Sequence, residues 1–296
     1  MAVETLRLGM GGLPEPKSLM ASVRSFVYEP KAATALVILG LLLLMAIFAP
    51  LLAPYGFAEQ DVTASRVQPG AEHLMGTDIL GRDILSRIIY GARISLRIGF
   101  ISVGIAAGVG VPTGAIAGYY GGWWDEILMR LTDAMIAFPN LIFLMGVVAV
   151  LGPGTTNVMI ALGLNAFPLY ARLTRGQTLS VKQRDYVSAA RALGGTDLRI
   201  MARHIMPNAV QPLIVQGSLA LGTAVLAESS LSFLGIGISP PTPTWGVIIS
   251  EGFALIRTNP WISVAPGFFI VAFVLSVNLL GDRLRDVFDP RLRGTR

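Results

Sequence analysis

Charged residues are missing from long stretches of this chain and crowded between them. From Lys31 the next charge is Glu59, and the apolar run Ala33–Ala53 in that window has the roughly 20 residues that a bilayer-spanning helix needs. Five further runs predict spans: Ser95–Tyr119, one from near Glu126 to Leu151, Val158–Leu173, about Ala209–Leu234, and Ile262–Gly281. The turn cluster "GPGTTN", Gly152 to Asn157, divides the third from the fourth, because the uncharged stretch around it is too long for one span. The pattern predicts an all-α polytopic membrane protein with six transmembrane helices. The first run is too long for the apolar core of a signal peptide and follows a tail of about thirty residues, so it reads as an uncleaved anchor.

Between the spans the polar segments have their own periodicities. In "GTDILGRDILSRIIYGARISLR", Ile84, Leu85, Ile88 and Ile89 share one side of a helix. Asp83 and Arg87 are spaced for an i,i+4 pair, and the segment reads as an interfacial helix leading into the second span. The second span carries Gly104, Gly108, Gly114 and Gly118 around Pro112, a small-residue stripe for close helix packing or a hinge. "LGIGISPPTPTWGVIISEG" reads as a loop or re-entrant segment with Trp245 at an interface.

"SAARALGGTDLRIMARHIMPN", Ser188 to Asn208, is polar where a short turn would have served. Tyr186, Val187, Ala190 and Leu193 lie on one helical face, with Arg184, Ser188 and Arg191 opposite. Gly194 is placed for a left-handed C-cap beside Gly195, and Thr196 for capping a second helix with Asp197 in its first turn. That second helix puts Leu198, Met201 and Ile205 on one face and Arg199 and Arg203 on the other. Pro207 then favours a sharp turn into the fifth span. Two short helices meeting at a glycine corner suit a groove in another protein, or else lie on anionic lipid.

Composition agrees with the hydropathy pattern: 296 residues are 53% hydrophobic and 14% charged, with mean hydropathy +0.64. Lys and Arg accumulate on the cytoplasmic side of membranes. Placing both termini inside puts Lys31, the seven basic residues from Arg172 to Arg203, and Arg283 onward on that side. Net charge +5 then reflects topology on anionic lipid, not nucleic-acid binding. No cysteine excludes disulfides and thiolate sites. No GxxxxGK[ST] is present, so the chain does not cradle ATP. An intramembrane protease lacks its residues, since HExxH is missing and the only histidines, His73 and His204, fall outside the spans. A secondary transporter is disfavoured by the absence of an internal repeat. No catalytic or metal-binding set emerges.

At membrane depth, Asn165, Gln216 and Asn278 are candidates for a translocation path or for interhelical hydrogen bonds. Glu228, near the outer end of the fifth span, is a solvated structural group or a substrate contact. Arg130 and Asp133 are spaced as an i,i+3 structural pair.

The order Ala189, Ala190, three residues, Gly194, then Pro207 resembles the cytoplasmic EAA loop of permease subunits in binding-protein-dependent ABC importers. "HLMGTDILGRDILSRIIYGARISL" and "SLSFLGIGISPPTPTWG" are similar to the C-type subunit of dipeptide and oligopeptide permeases. The resemblance implies a type I importer transmembrane domain that forms half of a pore with a sister permease. It implies two ATPase subunits holding ATP and magnesium, an extracytoplasmic binding protein, and a peptide cargo, or in related systems nickel chelates, glutathione or haem. This chain itself would hold no cofactor. Ser188, Ala189, Ala190, Arg191, Gly194, Gly195, Asp197, Arg199 and Pro207 would couple to the ATPase, with Ser188 standing where the family has glutamate. The implied organisation is a cytoplasmic tail 1–31, a first helix with outer polar segment 32–91, the importer core 92–282 and a cytoplasmic tail 283–296.

Overall fold

The structure, a computed structural model, describes residues 29–288. The two expected tails lie largely outside them. Helices α1 (Pro30–Ile47) and α2 (Ala49–Leu52) precede a polar segment with a single 3-10 turn, Val62–Ala64. Then come α3 (Ile84–Tyr120), α4 (Gly122–Ile136), α5 (Asn140–Leu151), α6 (Thr155–Lys182), α7 (Asp185–Ala192), α8 (Asp197–Ile200), α9 (Met206–Phe233), α10 (Trp245–Phe253) and α11 (Trp261–Phe288). No β-strand occurs among the described residues.

Four helical stretches are long and apolar enough to cross a bilayer: α1, α3, the continuous run from Asp197 to Phe233, and α11. The third expected span is not one straight helix. It breaks into α4 and α5, inclined at 97° across the "AFPN" junction, where Pro139 removes a helical donor. Counted as one broken span, the pair gives five. The fourth expected span lies within helix α6, but Asn157, Asn165, Arg172 and Arg175 keep that helix out of the set apolar enough to cross a bilayer.

Helix α3 runs 37 residues, about 55 Å at 1.5 Å per residue, and packs most extensively on α6. The close-contact stripe is Gly110, Gly114 and Gly118. A Cβ on Gly110 would lie 2.6 Å from the Phe167 carbonyl oxygen, one on Gly114 2.1 Å from that of Ala171, and one on Gly118 2.9 Å from that of Arg175. Gly104 and Gly108, expected to share this role, face open space. Helix α4 is pinned to α6 by two ion pairs, Asp125 with Arg175 at 2.5 and 2.6 Å and Asp133 with Arg172 at 2.5 Å. Asp133 therefore pairs across helices and not with Arg130. A second core, on α1, α3, α10 and α11, centres on Trp245, which is fully buried and donates its indole N–H to the Ile88 carbonyl at 3.2 Å. Trp245 is a core residue and not the interfacial anchor its Pro-rich surroundings predicted.

The segment expected as an interfacial helix is the buried N-terminal end of α3. Ile84, Ile88 and Ile89 are core residues. Asp83 caps the helix, accepting the Ser86 N–H at 2.7 Å, so it is not the partner of Arg87.

Candidate functional site

The polar insert forms a knob of α7, the predicted glycine corner and α8, but α8 is the first turn of the continuous run to Phe233 and not a separate second helix. Helix α7 ends in a full glycine C-cap: Gly194 sits at φ +79°, Gly195 N–H donates to the Ala190 carbonyl and Gly194 N–H to that of Arg191, both at 3.0 Å. Thr196 takes the N-cap position of α8 with extended backbone, but its hydroxyl makes no capping bond. The chain does not turn sharply at Pro207. It passes from α8 through a π turn, Met201–Ile205, straight into α9. The wider π turn accommodates the missing donor of Pro207, and Asn208 Nδ2 donates to the His204 carbonyl at 2.7 Å.

Burial differs from the predicted faces at three residues, Tyr186, Leu193 and Leu198. Val187, Ile200 and Ile205 are the apolar contacts of the knob, joined by Tyr119 of α3 and Val181 of α6. Leu193 and Leu198 point outward, 88% and 73% exposed. Ser188, Ala189, Arg191, Gly194, Asp197, Arg199 and Pro207 are exposed as well. Arg199, Arg203 and His204 face Tyr186, Ala189 and Leu193 across a groove of about 460 Å³. The knob thus offers a cationic groove flanked by two unpartnered leucines.

A larger cavity of about 660 Å³ opens between α3, the bend of α4 and α5, α6 and α9. Asn165 and Gln216 both line it, with Asn140, Tyr170, Arg172 and Thr223. Its one ionic wall residue, Arg172, is already paired with Asp133. Asn278 is not part of the cavity and packs against α9 at Gly222, its Oδ1 3.5 Å from the site of a Cβ there. Glu228 is outside the cavity too. It is wholly buried and accepts from Ser232 Oγ at 2.8 Å and Ser229 Oγ at 3.4 Å, with Thr244 and Ser95 also facing it. The expected solvated carboxylate is therefore a hydroxyl-caged internal one.

Residues 110–294 match the family described as the binding-protein-dependent transport system inner membrane component, and residues 18–69 match the N-terminal TM domain of oligopeptide transport permease C. The chain belongs to the binding-protein-dependent transport permeases. It is 42% identical over 262 residues to the dipeptide transport system permease protein DppC of Alkalihalophilus pseudofirmus, covering 88% of this chain and 86% of that protein. It is 43% identical over 272 residues to the glutathione transport system permease protein GsiD of Escherichia coli, covering 92% and 90%. The inward-facing MetNI methionine ABC transporter shares the fold at TM-score 0.58 and 20% identity, covering 70% of this chain and 98% of that one. The permease is a multi-pass inner-membrane transport component of the type I importer fold.

At the end of the permease opposite the knob lies an ionic cluster that the sequence reading missed. Asp78 accepts the backbone N–H groups of Leu80 and Arg82 through Oδ1, at 2.8 and 3.0 Å. Its Oδ2 takes Arg82 Nε at 2.6 Å and an Arg87 terminal nitrogen at 2.7 Å. Glu251 of α10 closes the cluster, 3.0 Å from Arg82 and 2.6 Å from Arg87. Two buried guanidinium groups thus face two carboxylates, which ties the polar segment before α3, α3 itself and α10 together. The tight loop that presents Asp78 needs Gly81 at φ +73°, where a Cβ would meet the Asp61 carbonyl at 1.7 Å. A signal existed in "GTDILGRD", but Glu251 lies 169 residues from Arg82.

Proposed function

We propose that the permease forms half of the translocation pathway of an ABC importer for short peptides. An extracytoplasmic binding protein delivers the cargo, and partner ATPases, which hold the ATP and magnesium, drive its passage. The carrying observation is the knob: a helical projection with a rigid glycine corner, two exposed leucines and a cationic groove, continuous with α9 through the π turn. Such a surface suits insertion into a cleft of another protein. Ser188, Ala189, Ala190, Arg191, Gly194, Gly195, Asp197, Arg199 and Pro207 form the coupling element. With Ser188 in place of an acid, Arg199 and Arg203 carry the polar contacts to the ATPase.

Both termini are cytoplasmic in this reading, which puts the knob inside and the Asp78 cluster outside. Residues 1–31 and 283–296 are tails, 32–91 the first helix and outer segment, and 92–282 the importer core. A sister permease completes the pore in a heterodimer served by two ATPase subunits. Asn165 and Gln216 are polar positions on the path, whose otherwise largely apolar wall gives a cargo few strong contacts, as a passage that must release it requires.

Uptake of labelled dipeptide in a strain lacking this chain tests the proposal. Restoration by the permease, and its loss when the partner ATPase is catalytically dead, is the expected result. Uptake that persists with dead ATPases refutes it. Because a glutathione permease is among the similar proteins, labelled glutathione is the second substrate in the same assay, and preference for it over dipeptides reassigns the cargo.

A further inference from the structure

The knob is joined by the chain only to α6, at Gln183 and Arg184, and to α9. Its third attachment is made by one side chain of α3. Tyr119 is 3% exposed, and its Oη donates to Asp197 Oδ1 at 2.6 Å, bonding to the first turn of α8. The same oxygen accepts from Arg191 of α7 at 3.3 Å. Arg191 also lies 5.6 Å from the ring centroid, and Lys182 of α6 lies 5.4 Å from it, both within cation–π range. Lys182 Nζ further donates to the Tyr119 carbonyl. One residue therefore touches the end of α6, the end of α7 and the start of α8.

The glycine stripe gives this contact mechanical meaning. Gly110, Gly114 and Gly118 hold α3 against the α6 backbone right up to the turn beside Tyr119. Any motion of the knob that Tyr119 follows must move α3 and α6 as one body. Motion it does not follow is absorbed at the extended backbone of Arg184, ψ 145°, where α6 gives way to α7. A hydrogen bond to an ionised carboxylate is stronger than a neutral one, and the Tyr119 ring that makes it is fixed among Val187, Ile200 and Ile205, while Asp197 stays exposed.

We infer that Tyr119 is the positioning residue that clamps the coupling knob to α3, so that a displacement of the knob by the ATPase is delivered to the α3–α6 pair as well as to α9. The inference rests on the importer reading. It assigns to the Tyr119 hydroxyl a share of the coupling between ATP hydrolysis and transport, although Tyr119 lies behind the docking surface.

The test uses the complete complex, with sister permease, ATPases and binding protein, in proteoliposomes, scoring labelled dipeptide uptake and ATP hydrolysis together. Tyr119→Phe keeps the ring and loses the hydroxyl. Dipeptide taken up per ATP hydrolysed should fall about 3- to 10-fold, the scale of one hydrogen bond with a solvent-exposed partner. Asp197→Asn should fall similarly, and the double variant no further than either single one. Amide hydrogen exchange over residues 185–200 should quicken in Tyr119→Phe. Tyr119→Leu separates packing from clamping, since loss of the ring lowers the yield of assembled complex. A Tyr119→Phe complex with wild-type uptake per ATP and unchanged exchange overturns the inference. So does a Tyr119→Phe yield as low as that of Tyr119→Leu, because the residue then only fills space. If the wild-type complex shows no ATP-driven uptake, the importer reading fails, and the exchange measurement still decides the clamp.

Discussion

Substituting alanine for single glycines along α3 distinguishes the packing stripe from its neighbours by sign. At Gly114 the new Cβ would lie 2.1 Å from the Ala171 carbonyl oxygen, 2.8 Å from Thr174 Cβ and 2.9 Å from the Ala171 carbonyl carbon. Ordinary contact begins near 3.4 Å, so the helices must part locally by about 1.3 Å. Two of the three atoms are backbone and have no rotamer to escape into. The cost falls at the upper end of the overpacking range, about 3 kcal/mol. In a bilayer that separation is not repaid by the hydrophobic effect, because lipid and helix surface are equally apolar. Alanine returns about 1 kcal/mol of helix propensity, leaving a net loss of about 2 kcal/mol.

At Gly104 and Gly108 no atom lies within 4 Å of the new Cβ, so only the propensity gain remains, up to about 1 kcal/mol. Thermal unfolding of the purified permease in detergent, followed by size exclusion, reads both. Gly114→Ala should lower the midpoint by about 4–8 °C at about 2–4 °C per kcal/mol, while Gly104→Ala leaves it unchanged or raises it. Equal midpoints for the two variants, or a larger loss at Gly104, would refute the assignment of the stripe.

Glu251→Gln should destabilise the permease by about 3 kcal/mol, because Arg82 and Arg87 are then left buried against Asp78 alone. The same thermal assay reads the loss, and added salt should not mimic it, since buried charges are poorly screened. Gly194→Ala strains a left-handed position, φ +79°, at a cost of about 1–2 kcal/mol. Gly194→Arg should leave the permease in the membrane yet abolish dipeptide uptake, and co-purification of the ATPase at wild-type level with normal uptake would rule out docking at this corner. Asn165→Leu and Gln216→Leu should slow uptake with normal membrane levels of permease. Asn278→Leu, off the cavity, should leave uptake per molecule unchanged.

The parts of the fold that repeat along one helix were legible in the sequence, and the parts made by pairs of helices were not. An apolar run of about 20 residues must span or be buried whatever surrounds it, so α1, α3, α9 and α11 lie where the hydropathy pattern placed them. The glycine corner at Gly194 was equally local, because a left-handed cap depends only on the residue that occupies it. Partners were the failure. Asp83 had Arg87 at helical spacing and instead caps the helix, because an unpaired N-terminal donor in a buried helix end is the stronger claim on a carboxylate. Asp133 had Arg130 at helical spacing and instead reaches Arg172 on α6.

The same limit shaped the site. Depth alone nominated Asn165, Gln216, Asn278 and Glu228, but depth does not say which way a side chain faces, and only the first two share a cavity. Tyr119 offered no local signal at all, since its partners Arg191 and Asp197 lie 72 and 78 residues away. Yet the sequence did contain the reason they can meet. Gly110, Gly114 and Gly118 recur every four residues on α3, and such a row allows another backbone to approach along its whole length. Once α6 lies in that row, its C-terminal end, the start of the knob and Tyr119 are brought to one place by geometry. The Tyr119 contact was therefore encoded in the spacing of small residues, while its chemistry was encoded elsewhere in the chain.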